Sequence, residues 1–178
     1  ALAAVNALRG LRYVDSEAIG LWGLSEGAWV VPLAAARSDQ VAFVVLVAAT
    51  GVPPAQQHSW NLETELRGQG VSGSMVKAVS RRSVRLIVDA GLFPEANHDP
   101  VEPLEHVRQP VLALWGEKDR IEPPTESARI LRVALEHGDN PRYTIQFFPD
   151  AEHELHISPD GFTQFDDFAP GYVDTVTS

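Results

Sequence analysis

Three side chains in this 178-residue sequence have the types and the order that acyl-transfer chemistry needs: Ser25, Asp119 and His153. A serine hydroxyl is a weak nucleophile near neutral pH and reacts only when a positioned base takes its proton. His153 is the candidate base, and it would hand that proton on to the leaving group. Asp119 is the candidate acid that fixes the imidazole tautomer and stabilises the imidazolium. Ser25 is the centre of Gly23-Leu24-Ser25-Glu26-Gly27, a G-x-S-x-G pattern. Five residues with three fixed positions recur by chance, and a glycine-flanked turn between two buried elements reads the same way. The flanking elements therefore have to decide.

Those flanks are a short apolar run, Ile19, Leu21 and Trp22, and an alanine-rich apolar run after Gly27. Strand, tight turn and helix is the context in which the motif exposes its serine. The turn strains the serine backbone, and Gly23 and Gly27 are expected to leave room for it because neither has a Cβ. The Glu26 backbone N–H, at the first turn of the new helix, would face the position where an oxyanion forms. Asp119 and His153 also follow apolar runs. Val111-Leu112-Ala113-Leu114-Trp115 leads into Gly116-Glu117-Lys118-Asp119, and Tyr143 to Phe148 leads into Pro149-Asp150-Ala151-Glu152-His153. Loops leaving the carboxyl ends of parallel strands are where reactive groups gather in an open sheet.

The remaining elements follow from periodicity. Leu2, Val5, Leu8 and Arg12 sit at helical spacing, and a helix is expected from Gly27 to about Arg37 with Pro32 kinking it. Residues 43–48, FVVLVA, form a continuous β-branched apolar run, the signature of a strand buried on both faces of a parallel sheet. Two helical patterns follow within 52–109, one through Trp60, Leu62 and Leu66, the other through Met75, Val79, Leu86 and Ala90. Further helices are expected after Pro123-Pro124, ending at Gly138, and after Pro170. Alternating strands and helices mean an α/β fold, a mostly parallel sheet with helices on both faces. The domain reading is a core segment 1–51, a helical cap or lid insertion 52–109 and a second core segment 110–178.

Composition narrows the function classes. Twenty-four acidic against 14 basic residues leave a formal charge of −10, which disfavours a nucleic-acid partner. No apolar run is long enough to span a bilayer, so no membrane partner is expected. Cysteine is absent, which removes disulfides, a thiol nucleophile and cysteine-ligated zinc. His153-Glu154-Leu155-His156 is not the H-E-x-x-H helix of a zinc site, and neither a metal nor a cofactor is expected. Glu117 is the rival acid and His156 the rival base, while Trp22 and Trp115 read as core. A basic stretch through Arg67, Lys77, Arg81, Arg82 and Arg85 contrasts with the acidic run after Asp150, and a solvated helix face explains it most simply.

Three segments carry a family resemblance: GLWGLSEGAWVVPLAAA, VLALWGEKDRIEPP and FPDAEHEL. They resemble the carboxyl-terminal part of α/β-hydrolase fold serine hydrolases, most closely bacterial esterases of the dienelactone-hydrolase and dipeptidyl-peptidase-like branches. The order Ser, Asp, His is the chain order of that fold. The small residue usual after the second glycine of the elbow is Ala28 here, a mild departure. The resemblance implies hydrolysis of a carboxylic ester through an acyl-enzyme on Ser25. A peptidase or aminopeptidase of the same fold, acting on a short peptide, is the alternative, and a non-catalytic fragment lacking the oxyanion-hole half is the rival. The insertion's place between two strands and its own apolar spacing would set Trp60 and Leu66 in an acyl pocket. The resemblance also implies that early strands, and a loop bearing a second oxyanion donor, belong before Ser25. On that reading the chain is a piece of a longer protein, without full activity alone, and its open sheet edge would favour a homodimer.

Overall fold

The computed structural model describes residues 1–177, the side chains of residues 95 and 97 apart; Ser178, the end of the expected second core segment, lies outside the described residues. In chain order the elements are α1 (Leu2–Arg9), β1 (Leu21–Leu24), α2 (Gly27–Ala35), β2 (Val44–Val47), α3 (Pro54–Gly68), α4 (Met75–Asp89), a 3-10 turn (Pro94–Asn97), α5 (Glu102–Glu105), β3 (Val111–Gly116), α6 (Pro124–His137), β4 (Tyr143–Phe148) and α7 (Tyr172–Thr177). The four strands form one parallel sheet in the order β1-β2-β3-β4. This is an α/β fold.

The unbroken apolar strands demand cover on two sides, and they get it. Val44 and Leu46 of β2, with Ala113 and Trp115 of β3, face a core closed by Val31, Leu104, Leu131 and Leu135 of the helices. Val45, Val47 and Leu114 face the opposite way, against Phe148, Leu155 and Tyr172. Removing each such valine or leucine from water contributes about 1.5–3 kcal/mol, so the two layers together hold the sheet. The buried Trp115 indole N–H donates to the Ala49 carbonyl at 3.1 Å, which fixes the chain leaving β2.

Two expectations need correction at the sheet edge. The first strand begins at Leu21, with Ile19 buried just before it. Trp22 is not core: half of its surface is exposed. β1 pairs with β2 on one side, and among the described residues no strand lies on the other. A large side chain on such a strand meets fewer neighbours than one in the middle. Pro32 lies inside α2, as expected, and the helix runs through it to Ala35.

Between β2 and β3 the chain makes α3, α4, the 3-10 turn and α5. α3 packs on α4, whereas α5 packs on α6 and α2, and Leu104 and Val107 sit in the main core. The end of the 52–109 stretch therefore belongs with the core. Among the described residues no helix is long and apolar enough to cross a membrane.

Candidate active site

Ser25 follows β1 directly and has φ of 54°, a left-handed conformation that a residue with a Cβ adopts at a cost of about 1–3 kcal/mol. Its neighbours hold it there. The Ser25 N–H donates to the Val47 carbonyl at 2.9 Å, and the Ala28 N–H donates to the Ser25 carbonyl at 2.9 Å. Gly23 is required at this turn, because a Cβ there would lie 2.5 Å from the Gly27 carbonyl oxygen. Gly27 departs from expectation: a Cβ added to it meets nothing within 4 Å. The two glycines of the motif are thus not equivalent. Gly23→Ala should cost about 1–3 kcal/mol, as overpacking does, whereas Gly27→Ala should fold and turn over nearly as wild type. Thermal melts and steady-state rates of the two variants side by side check this.

The Glu26 N–H opens the turn into α2 and enters no backbone hydrogen bond among the described residues, so it is free to receive an anion. The Glu26 side chain itself is exposed.

Asp119 and His153 are brought together. His153 Nδ1 lies 2.8 Å from Asp119 Oδ2, and both residues are buried. The other carboxylate oxygen, Oδ1, accepts the N–H groups of Ile121 and Glu122, both at 2.8 Å. Asp119 therefore does two jobs: one oxygen folds its own loop and the other orients the imidazole. Burial acts against the His153 imidazolium, but the Asp119 hydrogen bond and charge, with Glu122 and Glu152, outweigh it. The net effect is a pKa above the usual histidine value. Among the described residues no hydrogen bond joins the Ser25 hydroxyl to His153, and such catalytic contacts often tighten only when substrate binds.

The two loops are locked to each other through the backbone. The Lys118 N–H donates to the Ala151 carbonyl and the Glu117 N–H to the Phe148 carbonyl, both at 2.9 Å. α3 grips the acid loop from above. Gln57 donates to the Ile121 carbonyl at 2.9 Å, and Thr64 and Asn61 donate to the Arg120 carbonyl at 2.7 and 3.3 Å. The rivals take other roles. The Glu117 side chain is exposed, and His156 stacks on Phe168 with ring centroids 4.6 Å apart.

A cavity of about 380 Å³ opens beside Ser25. Its walls include Trp29, Thr50, Gln57, His58, Phe93 and Glu122. Trp60 and Leu66, expected to line it, do not. Trp60 borders a groove between α3 and α4 with Lys77 and Arg81, and another with Lys118 and Asp119 of the acid loop. Leu66, further along α3, is half-buried and is not among the walls of this cavity. The same helix reaches the cavity through Pro54, Gln57, His58 and Asn61 instead.

Glu122 is the residue that sequence reasoning passed over. It is 3% exposed, and burial, with the charge of Asp119, pushes its pKa up to about 8, while the Thr50 hydroxyl and His153 pull the other way. The available signal was a lone acid between Ile121 and Pro123-Pro124, in an otherwise apolar approach to a helix.

A family model, that of the prolyl oligopeptidase family, matches residues 1–169. The chain belongs to this family. Solved structures of the family's fold resemble it at low identity. An esterase from Pyrococcus furiosus superposes with a TM-score of 0.55 at 15% identity, over 85% of this chain and 51% of its own. A puromycin-hydrolyzing peptidase from Mycobacterium tuberculosis gives 0.56 at 19% identity, over 90% of this chain and 22% of its own. Dipeptidyl peptidase 4 from Porphyromonas gingivalis gives 0.57 at 15% identity, over 99% of this chain and 21% of its own. The chain thus spans about half the length of that esterase and about a fifth of each peptidase. No curated protein sequence is matched. The order of strand ends that carry Ser25, Asp119 and His153 is that of the α/β-hydrolase fold.

Proposed function

We propose that this chain is the catalytic portion of a serine hydrolase that cleaves carboxylic esters through an acyl-enzyme on Ser25. The observation that carries the reading is the buried Asp119–His153 hydrogen bond at the same end of the sheet as the left-handed Ser25. His153 spends Nδ1 on Asp119, which leaves Nε2 to take the Ser25 proton as Oγ attacks the acyl carbon. The tetrahedral oxyanion would be met by the Glu26 N–H. His153 then protonates the leaving group, the acyl-enzyme forms, and a water activated the same way releases the acid. Peptide cleavage is the second reading, favoured by membership of the prolyl oligopeptidase family. Amide and ester substrates would share the same residues, and the test is an assay of the full-length protein on matched panels of acyl esters and aminoacyl amides. Turnover of neither, or fluorophosphonate labelling at a site other than Ser25, overturns the proposal.

The pH profile follows from His153. Only the neutral imidazole can take the serine proton, and the raised pKa keeps it protonated to higher pH than an ordinary histidine. The acidic limb of kcat/KM is therefore expected above the ordinary midpoint of about 6.5. In Asp119→Asn the largest raising influences are gone, burial remains, and only the weaker pull of Glu122 and Glu152 is left, so the limb should move to lower pH as the rate falls. A pH–rate series on both proteins measures the shift, and an unmoved limb would assign it to another group.

A further inference from the structure

The basic stretch of α4 has no part in the hydrolytic steps, and the fold divides it. Lys77, Arg81 and Arg85 recur every four residues, so they share one face of the helix. That face borders the groove between α3 and α4, about 640 Å³ in volume, whereas Arg82 is not among its walls. The groove and the Ser25 cavity have no lining residue in common. Among the described residues the side chains of Lys77 and Arg81 make no hydrogen bond or ion pair, and Arg85 reaches only Asp89, at 3.6 Å. The two acids at the walls are already engaged by arginines from outside the groove. Arg67 donates to Glu63 at 3.0 Å, and Arg129 to Glu126 at 2.8 Å. Trp60 adds a further donor. Its indole N–H is buried without a hydrogen-bond partner, a state that costs free energy until an acceptor arrives. Val84 and Val88 border the groove as well, so apolar surface lies beside the cations.

We propose that the groove between α3 and α4 is a second ligand site, one that takes an organic monocarboxylate with an apolar body. The carboxylate meets Lys77 and Arg81 and accepts the Trp60 N–H, and the body lies on Val84 and Val88. Arg81 offers the planar fork that matches a carboxylate, and Lys77 a compact charge beside it. The charges at the walls select the ligand. Three cations against two carboxylates leave a surplus of one positive charge, which suits a single negative charge. A phosphate dianion would be repelled by Glu63 and Glu126, and an ammonium by the three cations. A neutral ligand would leave Lys77 and Arg81 unpaired. The volume is that of a small-molecule pocket. The site is independent of the chemistry at Ser25: α3 gives Gln57 and His58 to the cavity, and Gln56 and Ser59 to the groove.

Calorimetry on the full-length protein tests the site with three probes of one chain length: octanoate, 1-octanol and octyl phosphate. Octanoate is expected to bind, and the other two to bind at least about tenfold more weakly, as the loss of charge-assisted contacts or the gain of a repelled charge implies. The double variant Lys77→Gln with Arg81→Gln should weaken octanoate by about tenfold or more, and its exposed positions leave the thermal melt unchanged. Trp60→Phe keeps a ring but removes the N–H, and should weaken octanoate by about threefold or more. Because none of these residues borders the Ser25 cavity, the losses would place the ligand in the groove. Unchanged octanoate affinity in either variant overturns the site, as does a wild type that binds no octanoate. Octanol bound as tightly as octanoate would make the groove an apolar surface only. Tighter binding of octyl phosphate would overturn the carboxylate. Octanoate binding in a protein that turns over no ester or amide would support the groove and remove the Ser25 reading alone.

Discussion

Ser25→Ala in the full-length protein is expected to lower kcat by about 10⁴–10⁶-fold, with the fold intact. The hydroxyl is the atom that forms the acyl bond, and no second nucleophile stands at the end of β1 to replace it. Alanine has the same Cβ as serine, so the left-handed turn at φ 54° keeps its hydrogen bonds to Val47 and Ala28. The change thus removes chemistry without removing structure. His153→Ala should cost a comparable factor, since the hydroxyl keeps its proton when no base is present. The double variant should be hardly worse than either single one, because the residues act as a unit. A near-additive double variant would show that Ser25 and His153 serve separate steps. Retained turnover in Ser25→Ala would end the mechanism outright.

Gly116→Ala, although remote from any substrate, is expected to cost 10²-fold or more in kcat/KM. Gly116 ends β3, and a Cβ there would lie 2.2 Å from the Ala151 carbonyl oxygen and 2.3 Å from that of Glu152. Both obstacles are backbone, so neither can rotate out of the way. The clash has to push the loop after β4 away from the loop after β3. That displacement breaks the Lys118–Ala151 backbone bond of 2.9 Å and opens the 2.8 Å contact between His153 Nδ1 and Asp119 Oδ2. Without its acid the imidazole loses its tautomer, and that loss alone is worth up to about 10⁴ in rate. Overpacking should also lower stability by about 1–3 kcal/mol, which a thermal melt reports separately. Wild-type turnover in Gly116→Ala would show that the two loops are not coupled in this way. Rescue is not expected from Asp119→Glu, because the obstruction lies in the backbone.

The site and its scaffold were legible to different depths. Ser25, Asp119 and His153 each follow a run that reads as a strand, so their strand-end placement could be read from the order of residues. The pairing of Asp119 with His153 was readable as an expectation from that placement and from the choice against Glu117 and His156. The resemblance to α/β-hydrolases led toward the family whose model matches residues 1–169. What could not be read was anything that depends on which chain segments cross. The Gln57–Ile121 contact joins residues 64 apart, and no local spacing announces it. Trp60 and Leu66 were chosen by their apolar character on a helix, but a helix has several faces. The face that reaches Ser25 carries Gln57 and His58, whereas Trp60 borders grooves shared with α4 and with the acid loop.

By itself the sequence determined the α/β class, the parallel strands and the turn at Ser25. These rest on interactions within a few residues: β-branched runs, a helix following a strand, and the need for a glycine at position 23. The tertiary structure alone decided that Gly27 is under no such constraint and that Trp22 stands at an exposed edge. It also decided that Glu122 is shut into the cavity with an oxygen unsatisfied. Burial and open space are properties of the neighbours a residue meets after folding, and those neighbours come from remote stretches of the chain. A carboxyl on a loop looks the same in sequence whether water or Thr50 surrounds it. Its solvation, and with it its charge, is settled only when β2, α3 and the loop after β3 close around it.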